Sequence, residues 1–399
     1  MGTPKIVNRS VCRRIAALLS IAGMVAASCT SLGIPLRAAQ TEERKGAPDH
    51  YLLLVNTAVA FMMNEAKFRQ FDKSSYDGLA VAFLHAYDTS EAPSVAQMDA
   101  SLAQWKTFTR KDIWPWVYIN RMIGMSTAEK NWHSDTPYFR KIAGADLDDV
   151  RGAQSDFLHI WRNSLAAARD SHEPGIVCDL EFYNYYAEYD IGELARQTGK
   201  KPAEVAESLK KIGVRMADVA AQEYPGAILW FLFTGFTHPG YKTYDGVPYY
   251  PSPTYVAMGL LDEIAQQNLR LKVLTGGEGS LSYCHDTLED LRSAIRQRQA
   301  DLQAMLHRYE GILEMAGTMT LWSDRGDKVS LCKGSTAASV EELQPYLELL
   351  LRSYRYNWIW GSGDGNYYAF EPNSAPRFDA MIRRARAGVS ASASVRPDE

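Results

Sequence analysis

The chain has 399 residues, long enough to bury a sizeable core as one large domain or two average ones, and its 46% hydrophobic and 23% charged content excludes a disordered chain. A formal net charge of −4, with Lys5, Arg9, Arg13 and Arg14 all in the acid-free first 28 residues, excludes the basic excess of a nucleic-acid binder. Aromatics reach 11%, with 22 Tyr and 9 Trp; some must lie partly exposed, and exposed aromatic faces suit flat, partly apolar ligands such as sugars.

The N-terminus reads as an address. The basic stretch Lys5–Arg14 precedes the apolar run Ile15–Ala27, which is too short to span a bilayer and has the shape of an export signal. Arg13-Arg14 matches a twin-arginine signal only loosely. Ala26-Ala27-Ser28 before Cys29 predicts a lipoprotein cleavage site with Cys29 acylated, so that the only membrane contact is an N-terminal lipid anchor; cleavage after Ala39 is the alternative. Residues 29–50 form a linker, polar from Gln40 to His50.

Eight apolar runs follow, each predicted as a strand: Tyr51–Thr57, Tyr76–Leu84, Ile113–Asn120, Gly175–Tyr183, Ala227–Thr234, Arg270–Gly276, Gly317–Trp322 and Tyr356–Trp360. They are nearly continuous in apolar character, as parallel strands covered on both faces are. Helical periodicity lies between them, in Val205, Leu209, Ile212, Met216 and Val219, in Leu288, Leu291, Ile295 and Leu302, and in Leu343, Tyr346, Leu347, Leu350 and Leu351. Asp146–Asp170 supplies the helix between the third and fourth strands, and Ser374–Arg386 the last one. The pattern predicts a single (β/α)8 TIM barrel over residues 51–386 with long loops after its strands, and a Ser- and Ala-rich tail without structure from Ala387. No cofactor is predicted. Gly361-Ser-Gly-Asp-Gly lacks a following strand, Cys332-Lys-Gly-Ser-Thr lacks the upstream glycine of a phosphate loop, and no HxH, HExxH or CxxC supports a metal.

In such a barrel the C-terminal strand ends face the active site. Asp179 and Glu181 fall at the end of the fourth strand, two apart and so on one side of it. Glycosidic cleavage needs one protonated acid and one carboxylate that attacks or activates water. Glu181, nearer the mouth, is the expected acid, with Asp179 holding or tuning it; a structural carboxylate paired with a basic residue is the competing reading. Glu278, in Thr-Gly-Gly-Glu-Gly-Ser, is a candidate nucleophile or base, and Asp324 competes for that role although Arg325 can pair with it. Candidate sugar contacts are Asn120, His85, His238, Tyr241, Tyr283, Trp322, Trp358 and Trp360, the last as a stacking floor and Trp358 lying deeper. Cys284 and Cys332 follow neighbouring strands, and a disulfide between them is predicted for an exported protein; Cys178 is expected to be a buried, inert thiol.

Tyr76-Asp-Gly-Leu, Gly175-Ile-Val-Cys-Asp-Leu-Glu-Phe-Tyr, Gly-Gly-Glu-Gly and Tyr-Asn-Trp-Ile-Trp occur in an order that resembles a group of exported bacterial (β/α)8 proteins classed as glycoside hydrolases. The resemblance implies carboxylates at the barrel mouth, falling here on Asp179, Glu181 and Glu278. The Asp-x-Glu of the fourth strand also resembles the end of the chitinase motif, but Val177 stands where that motif has a further aspartate. The function expected is hydrolysis of a polysaccharide or oligosaccharide; the alternative is a non-catalytic glycan-binding lipoprotein on the same scaffold.

Overall fold

A computed structural model of the chain describes residues 49–59, 63–84, 92–118, 153–180, 190–238, 240–278, 281, 285, 287–320, 322–325, 328–330, 340–361 and 375–393. Eight parallel strands close a barrel in sequence order: β1 (Tyr51–Val59), β2 (Gly78–Ala82), β3 (Asp112–Tyr118), β4 (Gly175–Asp179), β5 (Ile228–Phe231), β6 (Lys272–Thr275), β7 (Leu313–Thr320) and β8 (Tyr356–Trp360), which returns to β1. Around them run α1 (Glu65–Lys73), α2 (Val95–Lys106), α3 (Ala153–Asp170), α4 (Ile191–Thr198), α5 (Pro202–Glu223), α6 (Ser252–Gln266), α7 (Leu288–Arg308), α8 (Gln344–Ser353) and α9 (Ala375–Ala393). The (β/α)8 expectation is met. Two short antiparallel hairpins, Lys242–Tyr244 with Val247–Tyr249 and Trp322–Arg325 with Lys328–Ser330, stand apart from the barrel sheet.

Strand alternation sorts the core into an inside and an outside. The inside holds Tyr51, Leu53, Val55, Trp114, Trp116, Tyr118, Val177, Trp230, Leu274, Tyr356 and Trp358. Near the N-terminal end the interior is filled by rings. Trp114 and Trp230 meet edge to face at 5.6 Å, Trp230 and Tyr356 at 5.7 Å, and the Tyr51 hydroxyl accepts from Trp114 Nε1 at 2.8 Å while donating to Asp112 at 2.9 Å. Outward residues such as Ile176, Cys178, Leu229 and Phe231 pack under the helices. The Cys178 thiol is buried and pushed well up by that burial and by the charge of Asp179, as an inert thiol should be. Helices α5 and α6 touch backbone to backbone: a Cβ on Gly213 would lie 1.9 Å from the Val256 carbonyl oxygen, and one on Gly259 2.0 Å from that of Lys210.

Two sequence expectations are corrected here. Strand β7 begins at Leu313, ahead of the expected Gly317, and ends at Thr320, ahead of Trp322. Glu314 breaks the apolar run, but its carboxylate pairs with Lys272 of the adjacent β6 and so fits a strand. Helix α9 continues through the tail to Ala393, beyond Arg386, with Ala385 and Val389 buried on one stripe and the Arg386 guanidinium bonded to Asp77.

The N-terminal rim carries a pH-sensitive brace. Glu173, just before β4, has no exposed surface; it accepts from the Ile113 amide at 2.9 Å and lies 2.7 Å from the Lys106 ammonium. Burial, only partly offset by Lys106, raises its carboxyl from the ordinary 4.5 to about 7. The folded chain therefore holds this proton more tightly than the unfolded chain. The stability it contributes is fully present below the unfolded value and is lost as pH rises through about 7. Across that window the loss is about 3 kcal/mol. Melting curves at intervals between about pH 5 and 8 should show a falling midpoint, and Glu173→Gln should flatten the fall.

Candidate functional site at the barrel mouth

The C-terminal ends of β4, β5 and β6 are stitched into one rim by backbone hydrogen bonds. Leu232 donates to the Cys178 carbonyl at 3.0 Å, Gly276 to that of Phe231 at 2.6 Å, and Glu278 to that of Leu232 at 3.2 Å. Asp179 ends β4 with the inward parity of Val177 and is wholly buried, opposite Tyr118 of β3. Glu278 is half-buried and lines a small cleft with Phe233, Thr234, Gly235, Thr237, Thr275 and Gly277. The Thr234 and Thr275 hydroxyls bond each other at 2.9 Å on that wall. Leu232 thus bridges the strand that ends in Asp179 and the turn that carries Glu278.

Aromatic rings gather inside the barrel at the ends of β3 and β8. Trp116 stacks on Tyr118 at 4.6 Å and meets Trp360 edge-on at 6.1 Å. Trp360 is half-buried, as a stacking surface must be. Trp358 is wholly buried, and its indole N–H donates to the Gly276 carbonyl at 2.8 Å. It has no free face for a sugar, so it supports the turn before Glu278, and the stacking expectation passes to Trp360 alone.

The remaining candidates divide by position. His238 is half-buried beside Thr237, and burial holds its imidazole below the ordinary value, partly offset by the charge of Asp301. Tyr241 is 44% exposed and directly precedes the Lys242–Tyr249 hairpin. Trp322 belongs to the Trp322–Arg325 hairpin strand and not to the end of a barrel strand as expected; Asp324, expected to follow the seventh strand, does so within that hairpin. Glu181, Asn120, His85 and Tyr283, with Cys29, Cys284 and Cys332, lie outside the described residues.

Three groups escaped the sequence reading. Trp116 and Tyr118 carry a signal, since Trp114, Trp116 and Tyr118 alternate along β3 and must share a face. Arg298 carries a signal only by position, since it fills the slot between Ile295 and Leu302 on the apolar stripe of α7. The third is Asp190, which caps α4 by accepting from Gly192 at 2.9 Å and also bonds the Lys242 ammonium and the Tyr244 hydroxyl. Burial pushes its carboxyl up, but those bonds more than offset this and hold it below the usual range. Asp190 ties the start of α4 to the hairpin that follows β5. Asp190→Ala should cost about 1 kcal/mol for the lost cap and speed amide exchange across Lys242–Tyr249, read by hydrogen-exchange mass spectrometry.

No family model matches the chain, and no curated sequence matches it. Solved structures similar to it include an endo-β-mannanase/endo-β-glucanase from Prevotella bryantii, at 10% identity and a TM-score of 0.48 over 84% of this chain and 48% of that one. Endo-glycoceramidase II from Rhodococcus sp. is 11% identical with a TM-score of 0.47, covering 83% of this chain and 79% of that one. A 3-keto-D-glucoside 4-epimerase from E. coli is 11% identical with a TM-score of 0.41, covering 85% of this chain and 99% of that one. Likenesses at this level concern the barrel alone and carry no activity or site residue to this chain.

Proposed function

We propose that the chain is a glycoside hydrolase acting on a polysaccharide or oligosaccharide. The observation that carries this reading is the placement of Asp179 and Glu278 on one hydrogen-bonded rim, in the same barrel whose interior gathers the rings of Trp116, Tyr118 and Trp360 at the ends of β3 and β8. Glu181, two residues beyond Asp179, donates its proton to the leaving glycosidic oxygen as the C–O bond breaks. The buried charge of Asp179 raises the proton affinity of Glu181 and keeps it in the acid form. Glu278 attacks the anomeric carbon or takes a proton from the attacking water. Trp360 stacks on a pyranose ring, with His238 and Tyr241 within the same mouth for hydroxyl contacts. In this reading the N-terminal signal and acylated Cys29 hold the enzyme outside the cytoplasm.

Incubating the purified mature protein with a panel of plant, fungal and bacterial glycans tests the proposal. Release of new reducing ends from at least one polymer is expected. Retarded migration in glycan-containing gels with no product from any polymer contradicts hydrolysis and favours the binding-only barrel.

A further inference from the structure

Helix α7 buries one stripe, Leu291, Ile295, Arg298 and Leu302, and the third member of that stripe is a cation. Arg298 is 1% exposed. Its Nη1 donates to the Ala316 carbonyl of β7 at 2.6 Å and its Nη2 to the Thr275 carbonyl at the end of β6 at 2.7 Å. Its guanidinium also lies over the Tyr354 ring at 5.3 Å. Among the described residues no carboxylate pairs with it. Burial lowers its proton affinity, but a guanidinium stays charged nonetheless.

A leucine or methionine would fill this stripe without the cost of desolvating a charge. What arginine adds is a rigid planar fork that fixes two acceptors at once. Those acceptors belong to two adjacent strands, β6, which ends at the turn to Glu278, and its neighbour β7. Directly beyond Thr275 the chain bends through Gly276 and Gly277, and Gly277 has φ +83°, a conformation that favours glycine. The guanidinium lies against this bend: a Cβ on Gly277 would sit 2.8 Å from Cζ and from Nη1. The same bend is held from the barrel side by the Trp358 indole on the Gly276 carbonyl and by the Glu278 amide on Leu232.

We propose that Arg298 is a positioning residue for Glu278: its buried fork ties the end of β6 to the middle of β7 and forms the surface on which the Gly276–Gly277 bend is laid, which sets where the Glu278 carboxylate enters the mouth. The inference rests on reading Glu278 as one of the acting carboxylates, yet its structural half is measurable without any substrate.

The test compares the wild-type protein with Arg298→Met, Arg298→Lys and Gly277→Ala. Hydrogen exchange is followed by mass spectrometry, and turnover is followed on whichever glycan the panel identifies. Arg298→Met should speed exchange about tenfold in peptides spanning Gly276–Leu281 and leave those of β3 and α5 at wild-type rates. Turnover should fall about 100-fold with KM changed less than about twofold, the pattern of a displaced reacting group. Arg298→Lys, which keeps the charge but has a single donor nitrogen in place of the planar fork, should recover part of the turnover. Gly277→Ala keeps the arginine but sets a Cβ 2.8 Å from its Cζ and Nη1, forcing bend and fork apart, and should show the same local exchange even if the methionine variant fails to fold. Unchanged exchange at Gly276–Leu281 in both Arg298→Met and Gly277→Ala overturns the proposal, as does a uniform rise across the barrel. Local loosening in a protein inactive on every glycan supports the positioning role and counts against the hydrolase reading alone.

Discussion

Glu278→Ala is expected to lower glycan turnover by about 1,000-fold or more, with the melting midpoint nearly unchanged. The side chain is half-buried at the end of a turn held by its backbone, so removing the carboxylate empties a place in the cleft without unseating the bend. If the enzyme retains anomeric configuration, azide entering that space should restore part of the turnover and appear in the product as a glycosyl azide. Glu181→Gln should match the loss on natural glycans but spare aryl glycosides with acidic leaving groups, because those depart without a proton. Asp324→Ala should retain activity, since Glu278 and Asp324 compete for a single role and the reading assigns it to Glu278. Kinetics on the three variants decide between the carboxylates: loss in Asp324→Ala with activity kept in Glu278→Ala would move the role to the hairpin.

The largest effect on stability is expected at Trp230. It is wholly buried inside the barrel, meeting Trp114 and Tyr356 edge to face and Tyr51 at 6.2 Å. Trp230→Ala removes three ring contacts at once and leaves a cavity that a closed sheet cannot collapse to fill. The cost should be about 3–5 kcal/mol, a large part of the stability of an ordinary domain. Trp230→Phe keeps a ring and should cost less. Urea unfolding checks this, with a lower midpoint and an unchanged slope expected for the alanine variant.

The barrel was legible in the sequence because parallel strands covered on both faces leave unbroken apolar runs. Tyr356–Trp360 was bounded correctly on that signal alone. Strand bounds were not legible where a charge is satisfied by a distant partner. Glu314 interrupts the apolar run, so the strand was expected to start only at Gly317, because its partner Lys272 is far away in sequence. The extension of α9 was hidden by Ser and Ala, which suit a loose tail until Ala385 and Val389 find a core to pack against.

The site was legible in the same uneven way. Asp179 stood out because a carboxylate ends an apolar strand, and Glu278 because glycines precede it. The depth of Trp358 compared with Trp360 followed from strand position. What Arg298 and the Asp190–Lys242–Tyr244 clamp hold was not readable, since each acts through contacts between segments that only the closed barrel brings together.

The most direct measurement is the separation of the Glu181 and Glu278 carboxyl groups in a crystal structure with an oligosaccharide across the mouth. Two carboxylates cleaving one glycosidic bond should flank it at about 5–5.5 Å for retention or about 6.5–9.5 Å for inversion. The expected value lies in one of these ranges, with a sugar ring over Trp360. A separation well beyond about 9.5 Å, or a glycan bound away from both groups, would contradict the hydrolase reading.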